Sequence, residues 1–224
     1  MRVRIYQIDP NRDSERLKFR IGADGKGQEE AGPIPSSIYN EVFDGELPES
    51  NLEELYRRFN MESHPLFRGH SLSVSDVVVT PEGAFLCDMV GFHPVEFDES
   101  QTEKPDNLMK VVYVEPGMPA YEAEIVSTLS GEQQAVGGYI EPIYLGDGIC
   151  LVGNEEAKLM GLPGNRHVGN AVIAGNFFLC GEGEEDFRSL TPQEVAENLE
   201  RFAQPEEISQ QEVQADMGFT IYMM

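Results

Sequence analysis

The 224-residue sequence predicts an α+β protein of two small domains, each a largely antiparallel sheet with one or two packed helices. Three observations lead there. Short apolar runs bounded by Gly, Pro, Asn and Asp outnumber stretches with helical periodicity. Amphipathic stripes are too few to cover a doubly wound parallel sheet. The polar stretch DESQTEKPDN (98–107) interrupts the chain near its middle and reads as a linker. The expected division is a first domain over 1–98, a linker over 99–108, a second domain over 109–204 and an acidic, then apolar tail over 205–224.

In the first domain MRVRIYQI alternates Val3 and Ile5 with charge, the period of a half-buried strand, and LKFRI (17–21) can pair with it. GADGKGQEEAGP (22–33) reads as a mobile loop. In YNEVFDGEL (39–47), Asp44-Gly45 signals the turn of a hairpin. SNLEELYRRFN (50–60) is the clearest helix: Ser50 caps it, Glu53 completes a capping box, and Leu52, Leu55, Tyr56 and Phe59 form one apolar stripe. VVVT (77–80), PEG and AFLCDMVGF (84–92) read as strand, turn, strand, with HPVEF (93–97) continuing or following.

The second domain opens with the buried-type strand KVVYVEPG (110–117). AYEAEIVSTLSGEQQAVG (120–137) reads as a helix, because Tyr121, Ile125, Val126 and Leu129 share a face. GGYIEPIYLGDGICLVG (137–153) is two strands joined at Gly146-Asp147-Gly148. NEEAKLMGLPGNR (154–166) is a short helix that Asn154 caps, Gly161 ends and Pro163 stops. NAVIAGNFFLCG (170–181) is one long strand. TPQEVAENLERF (191–202) is a helix with Thr191 as cap, Pro192 at its first position, Glu194 closing a capping box, and Val195, Leu199 and Phe202 facing inward.

Apolar residues make up 40% and charged residues 25%, but 16 basic against 40 acidic residues leave a net charge of −24. That surface repels nucleic acid and anionic membrane, and it attracts basic partners. Cys87, Cys150 and Cys180 form no CxxC and sit among apolar neighbours, as buried reduced thiols do. MRVRIYQIDPNRDS carries no apolar signal core, and no apolar stretch reaches the ~20 residues that span a bilayer. A cytosolic protein is expected.

FRGHSLSVSDVVV (67–79) supplies the residue types of a hydrolase in His70, Ser71, Ser73, Ser75 and Asp76. It lacks the G-x-S-x-G elbow, and Ser and Asp before a β-run commonly bond nearby amides. The expectation is a structural turn, with the three serines on one face and Leu72 and Val74 on the other. His64, His70, His93 and His167 match no ligand spacing, so no metal and no cofactor is expected. GEGEEDF (181–187) reads as a solvated surface loop. VGGY (136–139) matches no phosphate-binding loop. The densest polar group of mixed sign is Asn154, Glu156, Lys158, Asn165 and Arg166, which reads as a ligand or partner site or, alternatively, as caps and a local ion pair.

FRGHSLSVSDVVV followed by AFLCDMVGFHPVEF, with the SNLEELYRRFN helix before them, resembles the YodL-like domain family over about residues 1–98. Residues 109–204 resemble a second, uncharacterised bacterial and phage domain family through MKVVYVEPG, VGGYIE, GNEEAKLMGLPGNR, AGNFF and GEEDFRSLT. YodL-like domains recur in integrative conjugative elements and phages of Firmicutes, some attached to large helicase–methylase proteins. The resemblance therefore implies a mobile-element setting and carries no enzyme activity onto these residues. The expected function is a non-enzymatic cytosolic accessory protein acting through protein contacts. Its sharper form is antirestriction by DNA mimicry, with a basic or DNA-binding partner. The alternative is a small-molecule or nucleotide-binding domain with its site near Asn154–Arg166. MGFTIYMM (217–224) is expected to add a strand to its own fold or to another chain.

Overall fold

The computed structural model describes residues 1–19, 34–61, 64 and 66–220. The loop expected over 22–33 lies outside the described residues, as do residues 20–21 of LKFRI. The chain divides into two units, Met1–Asp106 and Asn107–Met224, each built on an antiparallel sheet. No described helix is long and apolar enough to cross a membrane.

In the first unit β1 (Arg2–Ile8), β2 (Tyr39–Glu46), β3 (Val77–Thr80), β4 (Gly83–Asp88) and β5 (Gly91–Val95) form a sheet of order β2-β1-β3-β4-β5. Helix α1 (Leu52–Met61) covers one face, where Leu55 and Phe59 pack on Val3, Ile5, Phe43 and Val78. Tyr6, Tyr39, Val77, Val79 and Leu86 fill the other, with Phe97 against them. Burial on both faces is why VVV shows no alternation.

Five local readings of this unit change. Leu17–Phe19 is a 3-10 turn rather than a strand, because the Asp13 carboxylate accepts from the amides of Leu17 and Lys18. Asp44-Gly45 lies inside β2 and makes no turn; Arg2 across the ladder pairs with Asp44 at 2.7 Å. The cap of α1 is Asn51, whose Oδ1 accepts from Glu54 N at 2.9 Å, while the Glu54 carboxylate accepts from Ser50 N. The side-chain cap thus sits one residue downstream of Ser50, and the Glu54 carboxylate turns back to the amide and hydroxyl of Ser50 rather than closing a box on Asn51. The run 84–92 is a hairpin, β4 and β5, turning at Met89-Val90. Residues 98–106 belong to this unit: Glu99 accepts from the Tyr6 hydroxyl at 2.6 Å and pairs with Arg4, and Glu103 bridges to Asn40.

In the second unit β6 (Leu108–Val114), β7 (Tyr121–Val126), β8 (Ile140–Gly146), β9 (Ile149–Asn154) and β12 (Phe177–Glu182) make a sheet of order β7-β6-β12-β9-β8, with β13 (Phe187–Arg188) paired to β12. A separate hairpin joins β10 (Gly164–Val168) to β11 (Ala171–Ala174). Helix α2 (Leu129–Val136) lies on one face, and the Tyr113 hydroxyl donates to its Ala135 carbonyl. Helix α3 (Pro192–Arg201) lies on the other, where Val195 and Phe202 join Val112, Val114, Leu151, Phe177 and Leu179. Helix α4 (Gln210–Thr220) packs against β11. The three cysteines are free and buried.

Here too long-range pairing overrides local signals. The helix expected over 120–137 is β7 followed by α2, capped by Thr128, because β7 completes the ladder to β6. The helix expected over 154–166 is a series of turns over 155–161 followed by the start of β10, since Asn154 ends β9 and its Oδ1 holds Glu156 N at 2.8 Å in a side-chain turn. The strand expected over 170–181 breaks at Gly175, whose φ of +70° sits in the left-handed region and separates β11 from β12. The helix expected over 191–202 is present with its Thr191/Glu194 capping box and Pro192. A strand at 217–224 is overturned for 217–220, which are helical, and 221–224 lie outside the described residues.

The shifted cap gives a direct test. Replacing Asn51 with Ala is expected to destabilise the first unit by about 1 kcal/mol in urea unfolding, and Ser50→Ala by only a few tenths. Equal losses would return the cap to Ser50.

Candidate functional site

The serine-rich stretch folds as a buried polar knot rather than as part of a strand. Strand β3 begins at Val77, so Ser71, Ser73 and Ser75 do not share a face: Ser71 is exposed and Ser75 is buried. From β1, the Gln7 side chain reaches into this turn. Its Oε1 accepts from His70 N at 2.9 Å, and its Nε2 donates to His70 O at 2.7 Å and to Asp76 Oδ2 at 2.9 Å. Gly69 makes room for it, since a Cβ there would lie 2.1 Å from Gln7 Oε1. Ser73 N also donates to Asp76 Oδ2, while Ser75, at φ 78°, is held by Cys87 O and by the Tyr39 hydroxyl. The Ser75 hydroxyl is spent on the carbonyls of Lys18 and Val74. His70 Nδ1 stands 4.0 Å from Asp76, beyond a hydrogen bond, and Lys18 Nζ occupies its Nε2 side. A nucleophile, base and orienter in sequence is not what these atoms form.

Asp76 Oδ1 is buried with no hydrogen-bond partner among the described residues. Burial pushes the Asp76 carboxyl up to about 7, against the Ser73 amide, Gln7 and Lys18, which favour its charge. Burial likewise lowers the pKa of His70. The folded chain therefore holds a proton on Asp76 that the unfolded chain releases. That contribution is fully present below the ordinary carboxylate value of 3.8 and is lost as pH rises through about 7.

The mixed-charge group of the second unit is split between interior and surface. Arg166 is 1% exposed, and its guanidinium donates to Met118 O at 2.7 Å, Phe202 O at 3.2 Å, and the carbonyl and Oδ1 of Asn165. Phe202 ends α3, so the negative end of that helix compensates a buried cation. Burial lowers the Arg166 pKa, opposed by Glu206. Asn165 Nδ2 donates to Val114 O at 3.0 Å and Gly175 O at 2.7 Å. Asn154 Nδ2 donates to Gly137 O. Lys158 pairs with Asp216, and Glu156 is exposed. The five residues thus do not converge on one point. Among the described residues no group of three or more His, Cys, Asp or Glu is placed to hold a metal ion.

Of the five, Asn154 and the Asp216-paired Lys158 line a cleft of about 510 Å³, and Glu156, Asn165 and Arg166 do not. Residues two apart on a strand share a face, so Glu141 and Ile143 of β8 and Leu151 and Gly153 of β9 present one surface. Helix α3 covers β6 and β7 on that side, leaving the β8–β9 end to the β10–β11 hairpin. Val172, Ile173 and Ala174 of β11, Ala157 of the turn and Met217 of α4 close the walls. Glu141 and Glu155 stand exposed at the rim, and Leu159, 79% exposed, flanks it. The cleft can hold a mainly apolar group whose ends are positive. Its walls escape sequence reasoning because they come from five separate segments. The local signal is the alternation of Glu141 and Ile143.

Two outcomes follow. The Asp76→Asn variant is expected to remove a pH dependence on the order of 2 kcal/mol from unfolding of the first unit between about pH 5 and about pH 8, with the parent protein relatively weaker at the higher pH; a variant–parent difference that does not move with pH would give Asp76 an ordinary pKa. Arg166→Ala, which strands buried carbonyls and leaves a void, is expected to cost about 3 kcal/mol or more in the second unit, against about 1 kcal/mol or less for Lys158→Ala. A tolerated Arg166→Ala would mean that the joint is dispensable.

Residues 2–97 match the family model described as the YodL-like domain, and residues 109–203 match that of a domain of unknown function, DUF3846. No curated protein and no solved structure matches the chain. Each match falls within one of the two units. Residues 2–97 are thus similar to the YodL-like domain family and residues 109–203 to the DUF3846 family.

Proposed function

We propose that this protein is a cytoplasmic accessory protein of a bacterial mobile element, and that it works by binding another protein through the cleft of its second unit. The carrying observation is the cleft itself: apolar walls from Ile143, Leu151, Val172 and Met217 beneath a rim with Glu141 and Glu155. A rim of carboxylates disfavours nucleotides and other anions, and the chain's charge of −24 extends the same field. A segment with two or three apolar side chains flanked by Lys or Arg meets both features. A DNA-binding protein is a class that carries such basic segments, so an antirestriction role falls within this reading. The polar residues 154–166 support it indirectly, since Asn165 and Arg166 fix the hairpin that forms one wall. With those side chains committed to structural bonds, the cleft rather than their polar atoms is what a partner meets.

A short Leu/Lys amphipathic peptide, titrated calorimetrically, is expected to bind saturably and to weaken as salt rises. Glu141→Lys with Glu155→Lys, or Ile143→Asp alone, is expected to lower its affinity about tenfold or more. Binding that ignores both changes, or no saturable binding to the parent protein, would remove the cleft as the docking site.

A further inference from the structure

Residues 205–224 lie beyond the interval matched by the DUF3846 model, yet α4 supplies a wall of the cleft. The helix docks through one stripe, Gln210, Val213, Asp216 and Met217, the spacing of a single helical face. Val213 is fully buried against Ala157, Val172 and Ala174, the same turn and strand that line the cleft. Gln210 donates to the carbonyls of Gly161 and Leu162. The Asp216 carboxylate accepts from Lys158 Nζ and from Val172 N, so it ties the turn to β11. Upstream, Glu206 and Glu212 bracket the His167 ring of β10, the second at 3.2 Å. The segment carries no basic residue, and its Glu206, Glu212 and Asp216 carboxylates meet Lys158, His167 and backbone amides.

We propose that α4 is an internal cover of the cleft, held by one buried valine and by charge, and that its release widens the cleft for the basic, apolar partner segment. This inference rests on the cleft being the docking site. An 11-residue helix has little stability away from its support, so undocking and unwinding go together. A basic segment seated in the cleft beside Lys158 competes with it for Asp216, which couples its binding to release. Because α4 packs against β11, which lies outside the main sheet, its departure leaves that sheet, α2 and α3 in place.

The test uses the full chain with Val213→Asp, hydrogen exchange at α4 and at the Val172 amide, and the Leu/Lys peptide as probe. The expected result is loss of protection at both places, retained protection in β6, β9 and β12, and peptide affinity raised about tenfold, a change of 1.4 kcal/mol. If α4 opens while the peptide binds the variant no better than it binds the parent protein, the cover is overturned and the docking site stands. If α4 opens and the peptide binds neither protein, the docking site fails and the cover fails with it. Should Val213→Asp also expose the sheet, Gln210→Ala combined with Asp216→Asn makes the same comparison from the edge of the contact. Protection of α4 unchanged in both variants would overturn the release.

Discussion

A buried guanidinium that cannot lose its proton is the constraint on which the second unit depends. Arg166 must find acceptors wherever the chain places it, because a buried cation without them costs far more than any single contact returns. It finds them in carbonyls at three places: the β6–β7 connection at Met118, the end of α3 at Phe202, and its neighbour Asn165. Asn165 extends the joint to the end of β6 and to the β11–β12 link. Lysine could not replace it, since only the planar fork offers several donors in fixed directions. The β10–β11 hairpin lies outside the main sheet, and this joint gives it a position over β9. One wall of the cleft exists because of it.

The first unit solves a related problem with a group that can change charge. Gln7 from the central part of the sheet pins the irregular turn 69–76, and Asp76 completes the knot with one oxygen bonded and the other bare. A carboxyl in that position relieves its burial by taking a proton, a route closed to Arg166. The two units therefore share a device, a buried polar side chain that fixes irregular backbone. They differ in compensation: a proton in one, the end of a helix in the other. Of these two buried groups, Asp76 makes stability depend on pH near neutrality and Arg166 does not.

Legibility in the sequence followed the range of the interaction involved. Thr191, Pro192 and Glu194 specify the start of α3 among themselves, and that helix is where the spacing puts it. Val77–Thr80 is likewise a strand because a fully apolar run admits few alternatives at that length. Tyr121, Ile125, Val126 and Leu129 have helical spacing, but 121–126 extends because β6 offers a ladder twelve or so residues away. Asp44-Gly45 has the composition of a turn, and Arg2, 42 residues earlier, keeps it in a strand. The site shows the same division. Asn165 and Arg166 are conspicuous as polar residues between apolar runs, yet their direction, inward to carbonyls rather than outward to a ligand, is set by α3 and β6. The cleft walls carry no motif at all, since Ile143, Leu151, Val172 and Met217 meet only after the sheet has formed.

The acidic surface takes on a narrower meaning once its carboxylates are placed. In the first unit many are spent locally, as Asp44 on Arg2, Glu99 on Arg4 and Glu49 on Arg58. Such exposed or half-exposed pairs add little stability and leave little field. The net charge of −24, which such pairs leave unchanged, acts at long range, raising the rate at which basic molecules arrive without choosing among them. Choice requires desolvated contact, and the cleft is where apolar wall and acidic rim coincide. A partner that is basic but lacks apolar side chains gains attraction without burial, and one that is apolar but neutral gains burial without the competition that displaces α4. Under the docking proposed above, selectivity resides in the conjunction of the two, and α4, acidic and apolar on one face, is the proposed barrier to anything that offers only one.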